Sequence, residues 1–272
     1  MSSSVPGLAR PEFLLLSATE GEAREIAAGM REVRTTHHAG KTAVAGWLER
    51  WPCRLVYTGI GAVNAAQALT WQLEQRRPHL VVQFGIAGAY VPAGVPVGAV
   101  AVASEEIYGD LGVLTPQGWQ PADLIGIPVV PASAGEPPRF NRFPMRAALV
   151  ARAVAAASRA GSGGASAEVR CGPFLTLGQV TGVGATGDAL YRRFGALCES
   201  MEGAAAAHVC ALYRLPFLEV RGVSNLVEDR DRSRWQIAPA AHAAQEAVRH
   251  ILAGVADFVA GESDAHQPVN TE

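Results

Sequence analysis

Cysteine is scarce in this chain and scattered: Cys53, Cys171, Cys198 and Cys210 form no CxxC pair. That spacing speaks against a metal site and leaves small thiols in a reducing compartment. No apolar run is long and uninterrupted enough to span a membrane. The opening residues 1–9 are Ser-rich and lack the apolar stretch of a signal peptide, so a cytoplasmic protein is expected. Basic residues show no excess, with 23 Lys and Arg dispersed against 25 Asp and Glu, which argues against a nucleic-acid partner. What remains, at 49% apolar residues with 29 glycines and 17 prolines, is globular: a buried core with many turns. No internal repeat and no linker divides two cores. One domain over residues 10–260 is expected, with residues 1–9 and 261–272 as disordered tails.

Apolar runs alternate with helix-forming segments. Phe13–Ser17 (FLLLS) is apolar almost throughout, as a strand buried on both faces would be. Residues 18–30 read as a loop entering a helix. Residues 41–47 and 54–58 read as strands, the second broken by Gly59-Ile60-Gly61. Residues 62–76 are a helix of good formers ended by Pro78, and residues 80–84 (LVVQF) are another buried strand. A long strand follows at 98–108. Residues 111–141, rich in Pro, Gly and Trp and without a period, read as an excursion or lid. Then come a helix at 145–159, a flexible break at 161–165 and a strand at 169–180 interrupted at Gly172-Pro173. A helix at 201–214, a strand at 217–223 (FLEVRGV) and a closing helix at 240–259 complete the chain. This alternation predicts βαβ units around a parallel sheet core.

Ligands of open α/β sheets bind beyond the carboxyl ends of strands, and three such ends carry unusual residues. Gly85-Ile86-Ala87-Gly88 follows LVVQF, where glycines expose backbone N–H groups or simply make a tight turn. Glu199-Ser200-Met201-Glu202-Gly203 opens an Ala-rich helix, where a carboxylate is a site group or only a cap. Arg221-Gly222-Val223-Ser224-Asn225 empties into the mixed charge run Glu228 to Arg234, which by itself reads as solvated surface.

Together these segments carry a family likeness. LVVQFGIAG, MEGAAAAHVC and LPFLEVRGVSN stand in the order and spacing of the nucleoside phosphorylase/nucleosidase superfamily, which the chain resembles over about residues 13–255. The resemblance implies a single α/β domain with a central mixed, partly closed sheet flanked by helices. It also implies a homo-oligomer, since the family typically forms dimers to hexamers. The likeness is nearest to the hydrolases. Hexameric phosphorylases put a Gly-Asp-Pro-x-x-Arg phosphate grip after the first strand; here Ala18-Thr19-Glu20-Gly21-Glu22 stands there, acidic as in the nucleosidases.

By that resemblance Glu22 matches the water-activating Glu, while Met201 and Glu202 match the sugar-contacting pair. Gly85, Ile86, Ala87 and Gly88 would line the cleft for sugar and base. Ser224 and Asn225 would bind the base. The adenosine-cleaving nucleosidases carry Ser-Asp at that last site, and the Asp protonates N7 of the base. Asn225 cannot act as that acid, but it can accept from a protonated N7 and donate to a 6-oxo group. Ser-Asn followed by DRDRSRW (229–235) resembles the futalosine hydrolases, which release hypoxanthine during menaquinone synthesis. The implied reaction takes a purine nucleoside and water and needs no metal or organic cofactor. Arg230, Arg232 and Arg234 are candidate contacts for the substrate's aryl carboxylate. A phosphorylase of inosine or guanosine, a methylthioadenosine-type nucleosidase and a non-catalytic binder on the same fold are the rival readings.

Overall fold

The computed structural model describes residues 11–133, 135–160 and 168–263. The expected break at 161–165 and most of the expected tails lie outside them. In chain order the elements are β1 (Phe13–Ser17), α1 (Arg24–Gly29), β2 (Met30–His38), β3 (Lys41–Leu48), β4 (Trp51–Tyr57), α2 (Ala62–Gln75), β5 (Leu80–Tyr90) and β6 (Val100–Tyr108). There follow β7 (Gly112–Thr115), β8 (Gly118–Pro121), β9 (Arg142–Pro144), α3 (Ala147–Ala157), β10 (Val169–Thr176), α4 (Gly184–Phe194), β11 (Cys198–Ser200), α5 (Gly203–Leu212), β12 (Phe217–Val227) and α6 (Ile237–Ser263).

The fold is α/β, with one mixed sheet ordered β11-β10-β6-β12-β5-β1-β4-β3-β2 and flanked by helices. β11 also pairs antiparallel with β5, so the pairings β5, β12, β6, β10 and β11 close into a ring. The remaining strands spread outward as an open wing. The core is not uniformly parallel: β12 runs antiparallel to β6, and β3 runs antiparallel to both of its neighbours, β2 and β4.

β1 shows why its sequence is apolar on successive positions. It lies between β4 and β5, both parallel to it, and helices cover both sheet faces. Phe13 and Leu15 pack into the core under α1, α3 and α6, whereas Leu14 and Leu16 pack into the one under α2 and α5. In α6, Ala244, Val248, Ile251, Leu252 and Val255 recur at helical spacing and are buried on that first face. The run Ala204–Ala207 of α5 is buried throughout, and its small side chains let the helix lie close on the sheet.

Several expectations change. β2, α4 and β11 were not foreseen. β5 and β12 each run past their expected ends, so Gly85 to Gly88 form no turn after a strand. They stay inside β5, paired residue for residue with Arg221 to Asn225 of β12 across one bulge. The interruption expected at Gly172-Pro173 is a shift of register against β6. The 111–141 excursion contains the β7–β8 hairpin. It is tied back by Asn141, whose Oδ1 accepts from Ala122 N at 2.7 Å and whose Nδ2 donates to Tyr108 O and Leu111 O. Trp119 packs edge-on against Phe194 of α4, so the hairpin docks on that helix. Among the described residues, no helix is long and apolar enough to cross a membrane.

α6 is seated on β12 through a bare glycine. A Cβ at Gly222 would overlap the Ala240 carbonyl oxygen. Gly222→Ala should therefore cost about 1–3 kcal/mol by overpacking, read as a lower denaturant midpoint at unchanged slope. An unchanged midpoint would mean that α6 does not rest on this strand as described.

Candidate active site

β1, β5 and β12 run parallel, and the turn after β1 comes up against the later halves of the other two. The turn is fixed by a reciprocal pair, Thr19 and Glu22. Thr19 Oγ1 accepts from Glu22 N at 3.3 Å, while Glu22 Oε2 accepts from Thr19 N at 3.1 Å and Thr19 Oγ1 at 2.9 Å. The other carboxylate oxygen, Oε1, accepts from Ile86 N at 3.0 Å. Glu22 is thus buried with both oxygens accepting hydrogen bonds, whereas Glu20 beside it is exposed. Gly85 makes room for this: a Cβ there would stand 2.5 Å from Glu22 Oε1 and 2.9 Å from an Arg221 nitrogen.

Glu202 sits at the start of α5, 4% exposed. Its Oε1 accepts from Gly61 N at 2.9 Å, and Gly61 reaches that orientation at φ +93°, a conformation suited to glycine. The Gly59-Ile60-Gly61 break thereby delivers a backbone donor to a carboxylate 141 residues away. Glu202 Oε2 lies 3.2 Å from Arg221 Nη2. Met201, just before it, is half-buried.

Arg221 opens the third of those strand ends but was given no role from the sequence, yet it links Glu219, Glu202 and Ile86. It is 1% exposed, donates from Nε to Glu219 Oε1 at 2.7 Å, and donates from Nη1 to Ile86 O at 3.2 Å. Burial alone would lower its pKa, but Glu219, Glu202 and Glu22 outweigh burial and raise it above the ordinary value. Glu106 and Glu219, both without exposure, belong to the same cluster and were also missed. The available signal was a pair of charged residues two apart within FLEVRGV, a strand otherwise apolar. Such residues share one face and must find partners inside.

Further along β12, Ser224 Oγ lies 3.2 Å from Ala87 O and 2.8 Å from Asn225 Oδ1, and Asn225 Nδ2 donates to Leu226 O at 3.0 Å. Gly88 lets this amide approach, since a Cβ there would be 3.1 Å from Asn225 Nδ2. A cleft opens beside Asn225, lined by Val97, Thr181, Arg230, Arg234 and Trp235 among others. Thr181 is held there by the buried Glu199, which accepts from Thr181 N at 2.8 Å, Thr181 Oγ1 at 2.7 Å and Tyr90 Oη at 2.9 Å. Burial and the Glu199 charge push the Tyr90 hydroxyl well up, so it remains a donor.

The three candidate arginines separate. Arg230 lines the cleft with its guanidinium 4.9 Å from the Trp235 ring centre. Arg234 also lines it but pairs with Glu228 at 2.5 Å. Arg232 lies over Trp235 at 5.7 Å and is not among the lining residues. None of the lining residues comes from the 111–141 excursion. Glu22 and Glu202 thus gather around Ile86 and Arg221, and Ser224 reaches Ala87 one residue further along β5; of these residues and Asn225, it is Asn225 that lines the cleft.

Comparison with known proteins identifies relatives over most of the chain. A futalosine hydrolase of Thermus thermophilus is 36% identical over 196 residues, covering 72% of this chain and 79% of that protein. A futalosine hydrolase of Acidothermus cellulolyticus is 30% identical over 257 residues, covering 93% and 96%. The crystal structure of a 5'-methylthioadenosine/S-adenosylhomocysteine nucleosidase from Neisseria meningitidis, in complex with methylthio-immucillin-A, shares the fold with a TM-score of 0.75. It covers 89% of this chain and 98% of that one at 24% identity. Residues 12–259 match the sequence profile of the phosphorylase superfamily, and the chain belongs to that superfamily.

Proposed function

We propose that this protein hydrolyses the N-glycosidic bond of a 6-oxopurine nucleoside, and that the nucleoside is futalosine. The observation that carries the hydrolytic reading is the charge around Glu22. Three buried carboxylates, Glu22, Glu202 and Glu219, face one guanidinium, whose donors are engaged by Glu219, Glu202 and the Ile86 carbonyl. A phosphate dianion would meet net negative charge. A neutral water would be accepted.

In this mechanism the C1′–N9 bond lengthens, the ribose gains positive charge and the base gains negative charge. Glu202 accepts from the ribose hydroxyls and, with Glu22, stabilises the ribose charge. Met201 lies along the sugar. Water adds to C1′; its proton passes to Glu22, and its oxygen becomes the new hydroxyl. The base leaves with a proton drawn from solvent, because Asn225 has none to give. Asn225 holds the product form, its Oδ1 accepting from N7–H and its Nδ2 donating to O6. Ser224 keeps that amide in place, and the backbone from Gly85 to Gly88 runs alongside Glu22 and Asn225.

The futalosine assignment rests on Asn225, on the two relatives of that activity, and on Arg230. Of the three arginines, Arg230 both lines the cleft and carries no Glu228 pairing, so we assign it to the substrate's carboxylate. The family's habit supports a homo-oligomer.

Two outcomes are expected. Glu22→Gln should bind nucleoside normally and lose about a hundredfold or more in turnover; near-normal turnover would remove Glu22 from the reaction. Wild type should favour futalosine over its 6-amino counterpart by about tenfold or more in kcat/KM, since the amino group meets the Asn225 donor. Asn225→Asp should narrow that ratio. Release of hypoxanthine and adenine at equal efficiency by wild type would contradict the base assignment.

A further inference from the structure

Glu106 on β6 and Glu219 on β12 are carboxyl groups without any exposure, and each has one oxygen accounted for. Glu219 Oε1 accepts from Arg221 Nε at 2.7 Å, with Ser200 Oγ at 3.5 Å. Glu106 Oε2 accepts from Thr176 Oγ1 at 2.7 Å; that hydroxyl in turn accepts from Ala204 N at 2.7 Å, at the start of α5. The other two oxygens, Glu106 Oε1 and Glu219 Oε2, are buried and have no other donor. Both lie against Gly203. A Cβ there would stand 2.5 Å from Glu106 Oε1 and would overlap Glu219 Oε2. Glycine directly after Glu202 is therefore required to let the two carboxyl groups meet.

Two carboxylates in contact away from water cannot both ionise. A single proton between them supplies the donor that both orphan oxygens need. We propose that Glu106 and Glu219 share one proton and form a positioning device that aims Arg221, and through it Glu202, at the ribose. The part concerning Glu202 rests on the function proposed above. Glu106 carries the proton, because Glu219 holds the ion pair with Arg221. Burial, then the neighbouring Glu219 charge, push Glu106 well above the usual carboxylate range. The other groups facing it do not undo this. Arg221 on β12 and Thr176 on β10 act in the opposite direction but more weakly. The thiol of Cys198 on β11 and the hydroxyl of Tyr108 on β6 are both pushed upward and stay neutral.

The proton makes the arrangement work as a fixed strut. Glu219 presents one charge to Arg221, and the guanidinium keeps a second edge for Glu202. An ionised Glu106 would add an unpaired buried charge and draw Arg221 away from Glu202.

Four measurements on the full-length protein test this. Infrared spectroscopy at neutral pH should show a carboxylic-acid C=O band in wild type that is lost in Glu106→Gln. The folded chain keeps a proton that the unfolded chain releases above about pH 4.3, so wild-type stability should decline as pH rises from there. Glu106→Gln, which supplies an amide donor in place of the acid, should lack that component, and its Tm advantage over wild type should grow with pH. The Arg221 Nε–H should exchange slowly by NMR in wild type and Glu106→Gln, and quickly in Glu219→Gln. On nucleoside, Glu106→Gln should keep kcat, while Glu106→Ala and Glu219→Gln should lose about tenfold to a hundredfold in kcat with smaller changes in KM. Absence of the acid band in wild type, or a Tm difference flat with pH, would overturn the shared proton. Fast Arg221 exchange in wild type, or full kcat in Glu219→Gln, would overturn the positioning role. The first three readings need no substrate, so they succeed or fail separately from the nucleosidase reading.

Discussion

A guanidinium removed from water needs a partner at each of its nitrogens, and Arg221 imposes that demand on three separate parts of the chain. Its Nε goes to Glu219 on the same strand, one Nη to Glu202 at the start of α5, and the other to the Ile86 carbonyl of β5. Removing the arginine would leave buried carboxylates without a counter-charge, a defect of about 3–5 kcal/mol in comparable sites. The glycines around it follow from the same constraint. Gly85 admits the Glu22 and Arg221 side chains, and Gly203 admits the two carboxyl groups beneath. The ring of strands formed by the β11–β5 pairing brings Glu199 and Gly88 into register and closes the sheet behind the cluster.

This cluster gives the proposed site its polarity. Carboxylates outnumber the guanidinium around Glu22 and Glu202, while further along β5 and β12 the chain presents the neutral Ser224–Asn225 pair. Breaking a glycosidic bond separates charge in the same sense: positive at the sugar, negative at the base. In the proposed reaction the base is stabilised by hydrogen bonds from an amide rather than by transfer of a proton from an acid. That division suits a base whose 6-position accepts a hydrogen bond.

Elements whose burial is imprinted on their residues were readable from the sequence. β1 is buried on both faces and reads FLLLS; α6 carries its apolar stripe at helical spacing. β2 shows the opposite case. It is an edge strand with only Met30 buried, so its residues MREVRTTHH follow no apolar period. β11 has three residues, too few to show a period, and α4 buries only Gly187 completely. Glu22, Glu202, Ser224 and Asn225 were picked out through family motifs; the structure ties Glu22 and Glu202 to Ile86 and Arg221, sets Ser224 against Ala87, and puts Asn225 in the cleft wall. Arg221, Glu219 and Glu106 were not assigned, because their importance lies in partners 19 to 135 residues away and in an environment without water. The alternation Glu219-Val220-Arg221 inside an apolar strand was the clue, and it carries weight only once that strand is known to be buried on both sides.

The central claim is that water, and not phosphate, receives the sugar. Its most direct measurement is a single turnover of futalosine by the purified protein in ¹⁸O-water, with and without added phosphate, followed by mass analysis of the sugar product. The account predicts free hypoxanthine, one ¹⁸O at C1′ of the released sugar fixed during cleavage, and a rate indifferent to phosphate. The sugar's C1′ hydroxyl exchanges slowly with water, so the sample is quenched early and corrected against a no-enzyme control. A sugar 1-phosphate as product, or cleavage that stops when phosphate is withheld, would contradict it.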